Sequence, residues 1–229
     1  QLLFRQAEES GARTFEGLSA AVTSCDISGA VVEAQDELGS KHVFHASFLI
    51  DASGRSTVSA RMSGGPRPDR HTSSAAIFGH FRNVPRAPDP EGGNIRIHLT
   101  HPGWMWEIPL PDGITSIGLV VPGEDLAQRD GSVEEFFEAR TGRNPMMAAA
   151  LADAVPTGVL STTGNFSYRV PESHSPGVIR VGDAFGFIDP IFSSGIHLAL
   201  ESARDAANAV AKIRERPSRR AKVLANYDR

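Results

Sequence analysis

Residues 181–211 read VGDAFGFIDPIFSSGIHLALESARDAANAVA. An apolar strand end runs into a Gly-Asp pair, and Asp-Pro and Ser-Ser-Gly follow before a long regular helix. The residue before a proline avoids helical angles, and serine is a preferred N-cap. A helix N-terminus offers unpaired N–H groups and partial positive charge, which favour anionic or electron-rich groups. The pattern indicates either a ligand site or an ordinary capped helix after an irregular turn.

The helix itself is predicted from its apolar periodicity. We expect Ser193 and Ser194 to cap it. From there apolar residues recur every three or four positions, which predicts one inward face. These positions are Ile196, Leu200, Ala203, Ala207, Val210 and Ile213.

The composition is that of an ordinary globular protein. The chain has 229 residues, of which 40% are apolar and 22% charged. Its net charge of −4 gives no electrostatic footprint for nucleic acid. The single cysteine, Cys25, excludes an internal disulfide and fits a reducing compartment. With no run long enough to span a membrane and no visible signal peptide, we expect a cytoplasmic protein.

The rest of the chain alternates strands and helices. LSAAVTSCDI and AVVEAQ form a hairpin at Ser28-Gly29, and HVFHASFLI is a third strand-like run. SAAIFGHFRNV, NIRIHL, WMWEIPL and ITSIGLVV then follow with tight turns, which predicts an antiparallel sheet. VEEFFEAR and MMAAALADAV read as helices. The fold class is therefore mixed α/β, with outer segments 1–71 and 166–229 meeting around a middle domain, 72–165.

The segment GDAFGFIDPIFSSGIHLAL resembles the C-terminal flavin motif of flavin-dependent halogenases and their relatives in the FAD-dependent monooxygenase superfamily. The resemblance implies that Asp183 binds the ribityl chain of FAD. It also implies that Ser193, Ser194 and Gly195 lie against the isoalloxazine ring, with their backbone amides holding the halide. The fold that it implies is the Rossmann-like flavin monooxygenase fold with an antiparallel substrate domain.

A second resemblance lies in GWMWEIPLP, which contains both tryptophans of the chain. Trp104 and Trp106 are two residues apart, so on a strand they face one side, and Met105 and Glu107 face the other. A core strand with two aromatics would explain this alone. However, W-x-W-x-I-P resembles the signature that separates flavin halogenases from flavin hydroxylases. The resemblance implies an active-site wall of Trp104, Trp106, Pro109 and Phe192.

A third segment, FLIDASGRST, resembles the strand and Asp-Ala-Ser-Gly turn of the same superfamily. A glycine there lets the backbone approach the cofactor. The residues that the resemblance assigns to FAD contact are Asp51, Gly54, Arg55, Gly182, Asp183, Pro190, Ser193, Ser194, Gly195 and Ile196.

By resemblance, the protein is an FAD-dependent oxidoreductase, a flavoprotein that halogenates an aromatic substrate. Reduced FAD comes from a separate flavin reductase, and O₂ and chloride or bromide are consumed. Free-tryptophan halogenases carry a glutamate where this chain has Phe192. The expected substrate is therefore phenolic, pyrrolic or carrier-tethered rather than free tryptophan.

Two parts of the family pattern are missing from these 229 residues. One is the strand–GxGxxG–helix that binds the FAD pyrophosphate. The other is the catalytic lysine, since Lys41, Lys212 and Lys222 lie in no matching context. Because the chain opens on Gln1 rather than Met, we expect both in a preceding segment, and no catalytic residue is assigned here.

Two alternatives to the halogenase stay open. One is a flavin monooxygenase or dehydrogenase on the same scaffold, and the other is a non-catalytic fragment without FAD. No metal site is expected, because the HxxH pairs place their histidines on opposite faces of strands. A Ser-His-Asp hydrolase is not supported, because no Gly-x-Ser-x-Gly elbow occurs.

Overall fold

The computed structural model describes residues 1–68, 73–164 and 166–227. The helices are α1 (Leu2–Glu9), α2 (Gly123–Ala127), α3 (Val133–Thr141), α4 (Pro145–Leu151), α5 (Gly195–Glu215) and α6 (Arg220–Tyr227). The strands are β1 (Ser19–Asp26), β2 (Gly29–Gln35), β3 (Lys41–Ala46), β4 (Leu49–Asp51), β5 (Arg67–Pro68), β6 (Ser74–Arg82), β7 (Arg96–Leu99), β8 (Trp104–Pro109), β9 (Thr115–Pro122), β10 (Val155–Pro156), β11 (Ser161–Gly164), β12 (Tyr168–Arg169), β13 (His174–Ser175), β14 (Val178–Arg180) and β15 (Gly186–Phe187). The predicted mixed α/β class is confirmed.

The chain divides into two compact units. Unit 1 comprises Gln1–Pro66, Val170–Phe185 and Ile196–Arg229, and unit 2 comprises Arg67–Arg169 and Gly186–Gly195. The predicted boundaries at 71/72 and 165 lie outside the described residues, so the three-segment division stays a prediction. None of the described helices is long and apolar enough to cross a membrane.

Unit 1 contains two small sheets. In the first, β1, β2 and β3 are antiparallel, and the predicted hairpin is confirmed by the pairing of Asp26 with Gly29. Gly29 has φ +149°, and a Cβ there would overlap the carbonyl oxygen of Ala46, so glycine is required. In the second sheet, β14 lies between β13 and β4, and β4 and β14 are parallel.

The run HVFHASFLI is not one strand, so this prediction is wrong. It forms β3 and β4, which belong to different sheets. Between them the chain leaves the antiparallel sheet, and the Leu49 amide donates to the Gly177 carbonyl at 2.8 Å. Phe48 packs against the helical core of unit 1. An apolar run shows that strands are present but not which sheet each joins.

Helix α5 is confirmed, but half of its predicted inward face is wrong. Ile196 and Leu200 are 77% and 51% exposed, and Ala207 is exposed too. The buried positions are Ala206, Ala209 and Ile213, with Ala203 and Val210 half-buried. They pack with Ile179 and Val181 of the sheet and Leu224 of α6. Small alanines let the helix approach the sheet closely. The buried face of α5 therefore differs from the face that the apolar periodicity predicts.

The larger sheet of unit 2 is antiparallel, of order β10-β6-β9-β8-β7, with β11 also paired to β6. A second, three-stranded sheet has the order β15-β12-β5. The four predicted strand runs become β6, β7, β8 and β9, and the two predicted helices become α3 and α4. A capping box between Ser132 and Glu135 starts α3, and the Asn144 side chain caps α4. The core residues are Ile77, Phe81, Val84, Met105, Ile117, Leu119, Val121, Phe137 and Met147.

Candidate functional site

The loop that follows β4 in unit 1 is held together by hydrogen bonds to Asp51. The Asp51 carboxylate, 5% exposed, accepts hydrogen bonds from the amides of Ser53 at 2.9 Å and Ser59 at 2.8 Å. Burial raises the pKa of this carboxyl, but the bonds from Ser53 and Ser59 together outweigh burial, so its pKa is lowered overall. Inside the loop, Gly54 has φ +60° and begins the 3-10 turn Gly54–Ser56. A Cβ at Gly54 would have no atom within 4 Å, so the backbone there is open to a ligand.

A second turn, Gly182–Ala184, follows β14 and contacts the turn Gly54–Ser56. Gly182 has φ +54°, its amide donates to Ser202 Oγ at 2.9 Å, and a Cβ would crowd Ala199 at 3.0 Å. Glycine therefore lets this turn pack directly on α5.

Asp183 lies half-buried in that second turn. Burial raises the pKa of its carboxyl, and the charge of the exposed Arg55 opposes the rise. The structure thus brings together the predicted residues of the two turns, which are Asp51, Gly54, Arg55, Gly182 and Asp183.

The predicted residues 190–196 lie at the start of α5. Asp189 accepts the Ile191 amide at 3.2 Å and caps the 3-10 turn Pro190–Phe192. Ser193 adopts a left-handed conformation with φ +51°, and the helix begins at Gly195, one residue after Ser194. Phe192 is 88% exposed. An open helix start with an exposed aromatic side chain is compatible with a ligand surface, as the sequence predicts.

The tryptophan pair lies in unit 2 on one face of β8. The ring centroids of Trp104 and Trp106 are 5.8 Å apart, and Met105 belongs to the core on the opposite face. The predicted facing is therefore confirmed. Trp104 is buried with Ala76, Val120 and Phe166.

The side chain of Trp106 lies against the neighbouring strand β9. Its indole N–H donates to Ser116 Oγ at 3.1 Å, and it lies directly opposite Gly118. Within the described part of the chain, the buried indole N–H of Trp104 has no hydrogen-bond partner. Pro109 ends the strand, half-buried.

Sequence reasoning missed three features of the site and its surroundings. Arg180 is fully buried and contacts Ser59 of the loop after β4. Glu107 is buried on the strand face opposite the tryptophans, as strand alternation predicts, but its partners were missed: the half-buried Arg96 at 2.7 Å and the buried His98 at 3.3 Å. Gly118 faces Trp106. Only Arg180 had a signal in the sequence, a charged residue inside the apolar strand VIRV.

The three lysines stay outside these features. Lys41, Lys212 and Lys222 are exposed on β3, α5 and α6. Among residues 1–68, 73–164 and 166–227, no group of three or more His, Cys, Asp or Glu side chains could hold a metal ion.

The residues of unit 1 fit an FAD. Gly54 has open space at its Cβ position, after one of two adjacent parallel strands, while Gly182 packs the turn after the other strand on α5. The half-buried carboxylate of Asp183 in that second turn suits a ribityl hydroxyl.

Comparison with known proteins identifies the family of this chain. Residues 1–228 match the Tryptophan halogenase family, and the chain belongs to this family. It is 30% identical over 218 residues to a 1H-pyrrole-2-carbonyl peptidyl-carrier protein chlorinase from Pseudomonas fluorescens, covering 92% of the chain and 48% of that protein. It is 30% identical over 219 residues to a tryptophan 2-halogenase from Chondromyces crocatus, covering 93% of the chain and 42% of the relative.

The structure is similar to that of a myxobacterial chondrochloren halogenase, with TM-score 0.84 and 31% identity over 99% of this chain and 53% of the other. The chain therefore spans about half the length of the proteins it matches.

Proposed function

We propose that this protein acts as a flavin-dependent halogenase. The observation that carries the proposal is the contact between the turns Gly54–Ser56 and Gly182–Ala184, beside the half-buried Asp183. These are the segments that the family pattern assigns to FAD. Reduced FAD, supplied by a separate flavin reductase, would give electrons to O₂, and the activated oxygen would then accept electrons from chloride or bromide and so oxidise the halide.

Each residue would contribute binding or position. The Asp183 carboxylate accepts hydrogen bonds from ribityl hydroxyls, and the open backbone at Gly54 lets the cofactor approach closely. Arg55 adds a positive charge near Asp183. The backbone amides of residues 194 and 195 bind the halide at the start of α5, where the helix dipole favours an anion. The predicted third donor, the Ser193 amide, instead donates to the Pro190 carbonyl at 2.8 Å. Pro190 and Ile196 flank that segment.

The substrate would be an aromatic ring, phenolic, pyrrolic or carrier-tethered. Trp104, Trp106, Pro109 and Phe192 would form the apolar wall against which it binds. Phe192 stands where free-tryptophan halogenases carry a glutamate, which argues against free tryptophan. One relative is a pyrrolyl-carrier chlorinase and another a tryptophan 2-halogenase, so both substrates belong in the assay.

The test begins with the visible spectrum and FAD titration of the purified full-length protein. Products are then analysed by mass spectrometry after reaction with bromide, FAD, a flavin reductase and a panel of a phenol, a carrier-tethered pyrrole and free tryptophan. A brominated phenol or pyrrole supports the proposal. Hydroxylated product alone would assign the protein to the monooxygenases, and failure to bind FAD would refute the cofactor assignment.

A matched pair of variants links the result to the site. Asp183→Asn should weaken FAD binding roughly tenfold to a hundredfold, because it removes a charged acceptor. Asp205→Asn makes the same change on the exposed surface of α5 and should leave FAD affinity unchanged.

A further inference from the structure

Arg180 is the most deeply buried charged side chain among the described residues, with 0% exposure. It lies on β14, directly paired with Asp51 of the parallel strand β4. Burial lowers the pKa of its guanidinium, and the charges of Asp51 and Glu172 oppose that effect. An arginine nonetheless stays protonated in proteins, so a full positive charge lies inside unit 1.

The guanidinium joins two loops. Its Nε donates to Ser59 Oγ at 3.0 Å and one Nη donates to the Ser59 carbonyl at 3.4 Å. The other Nη donates to the Glu172 carbonyl at 2.9 Å, and Ser175 Oγ is a further partner at 3.0 Å. The planar fork of an arginine can make these bonds together, which the single ammonium of a lysine cannot.

Ser59 is consequently fixed at three atoms. Its amide donates to the Asp51 carboxylate at 2.8 Å, while its hydroxyl and carbonyl both accept from Arg180. Asp51 also accepts the Ser53 amide, and the Val58 amide donates to Ser53 Oγ at 3.0 Å. Both ends of the segment 52–58, which contains Gly54 and Arg55, are therefore held by one buried polar cluster.

Stability alone does not explain this cluster. A buried ion pair is often no more stabilising than well-packed apolar residues of similar volume. The neighbouring strand positions Val178 and Ile179 are aliphatic and fully buried. An aliphatic residue at 180 would be as apolar as these neighbours, but it could not hold Ser59 and would leave the buried Ser59 hydroxyl and carbonyl without this donor.

We propose that Arg180 is a positioning residue that fixes the turn Gly54–Ser56 through Ser59 before FAD binds. The inference rests on the proposed function, because the turn matters as a cofactor contact. A loop already held in its bound conformation loses less entropy on binding, so the Arg180 cluster raises FAD affinity by preorganisation.

The experiment compares Arg180→Met, Arg180→Lys and Ser59→Ala in the full-length protein. The control is Arg204→Met, since the Arg204 side chain is 62% exposed on α5. Amide hydrogen exchange of residues 53–59 is measured without FAD, and FAD affinity is measured by fluorescence titration. The melting temperature and circular dichroism report folding.

Arg180→Met should speed exchange at residues 53–59 and raise the FAD Kd, each by roughly tenfold. Arg180→Lys should increase the exchange rate and the FAD Kd less than Arg180→Met does. Ser59→Ala should also increase both, and by less than Arg180→Met. Arg204→Met should match wild type in both measurements.

Wild-type exchange at 53–59 together with wild-type FAD affinity in a folded Arg180→Met protein would overturn the inference. If that variant does not fold, Ser59→Ala decides, because it leaves Arg180 its bonds to Glu172 and Ser175; wild-type behaviour of this variant would also overturn it. The proposed function fails differently, through a wild-type protein that does not bind FAD, and the positioning role then fails with it.

Discussion

At the scale of single residues, Gly118 determines how Trp106 lies on the sheet of unit 2. A Cβ built at Gly118 would overlap the indole atoms Cε2, Cζ2 and Cη2 of Trp106. The cross-strand glycine leaves room for the ring to lie flat on β9, where its N–H reaches Ser116. The tryptophan signature therefore depends on a glycine twelve residues further along the chain.

Gly118→Ala should displace the Trp106 ring and lower the free energy of unfolding by about 1–3 kcal/mol, the range for overpacking a core. Chemical denaturation followed by tryptophan fluorescence measures both effects. Gly158→Ala is the control, because a Cβ there meets nothing within 4 Å, and it should change stability by less than about 0.5 kcal/mol. An unchanged emission spectrum for Gly118→Ala would contradict the packing described.

The carboxyl of Asp183 has a raised pKa in the folded protein because burial disfavours its charge. Its ionised form therefore opposes folding above the folded-state pKa, and this penalty disappears as the pH falls towards the unfolded value of about 3.9. Asp183→Asn should raise the melting temperature at pH 7 while weakening FAD binding. Melting curves of both proteins from pH 7 to pH 4 should show the difference shrinking as the pH falls, and a difference independent of pH would contradict this.

At the scale of the secondary-structure elements, α5 shows how tertiary packing selects a helix face. Ala206 and Ala209 face the sheet of unit 1, while larger apolar residues in the first two turns, Ile196 and Leu200, are exposed. The apolar periodicity correctly predicted a helix but placed its inward face partly wrong. Alanine contributes little to a hydrophobic pattern, although its small size is what permits close helix–sheet contact.

Two neighbouring positions test this face. Ala206 is fully buried and Ala207 is exposed, so leucine at 206 must overpack the core and leucine at 207 need not. Ala206→Leu should cost about 1–3 kcal/mol, and Ala207→Leu should lie within about 0.5 kcal/mol of wild type. Urea denaturation measures both, and the reverse order would restore the face predicted from periodicity.

At the scale of the whole molecule, each unit has a core of its own. Unit 1 buries Ile179, Val181 and the inward side of α5, and unit 2 buries Ile77, Met105 and Ile117. The Asp51 loop and Asp183 both belong to unit 1. A ligand held by these residues therefore stabilises the folded state of that unit through mass action.

FAD at a hundredfold excess over its Kd should add about 2.7 kcal/mol to the free energy of unfolding. Thermal unfolding of the full-length protein with and without FAD measures the increment. Asp183→Asn, measured at the same FAD concentration, should lose about half of it or more, whereas Asp205→Asn should retain it. An equal increment in both variants would show that Asp183 does not bind FAD.

The sequence by itself determined the local features of this protein. It predicted the hairpin at Ser28-Gly29, the strands of unit 2 and the helix after Gly195, because turn residues and apolar periodicity act over a few positions. The facing of Trp104 and Trp106 followed from strand alternation alone. The family was identified from short motifs for the same reason, since a cofactor turn needs particular residues at fixed spacing.

The tertiary structure alone decided which distant segments meet. It divided HVFHASFLI between two sheets, rotated the buried face of α5, and brought Ser59 to Arg180 across 121 positions. It also set Gly118 opposite Trp106. No periodic pattern in the sequence predicts these contacts, because strand pairing and the burial of small or polar side chains depend on residues far away in the chain.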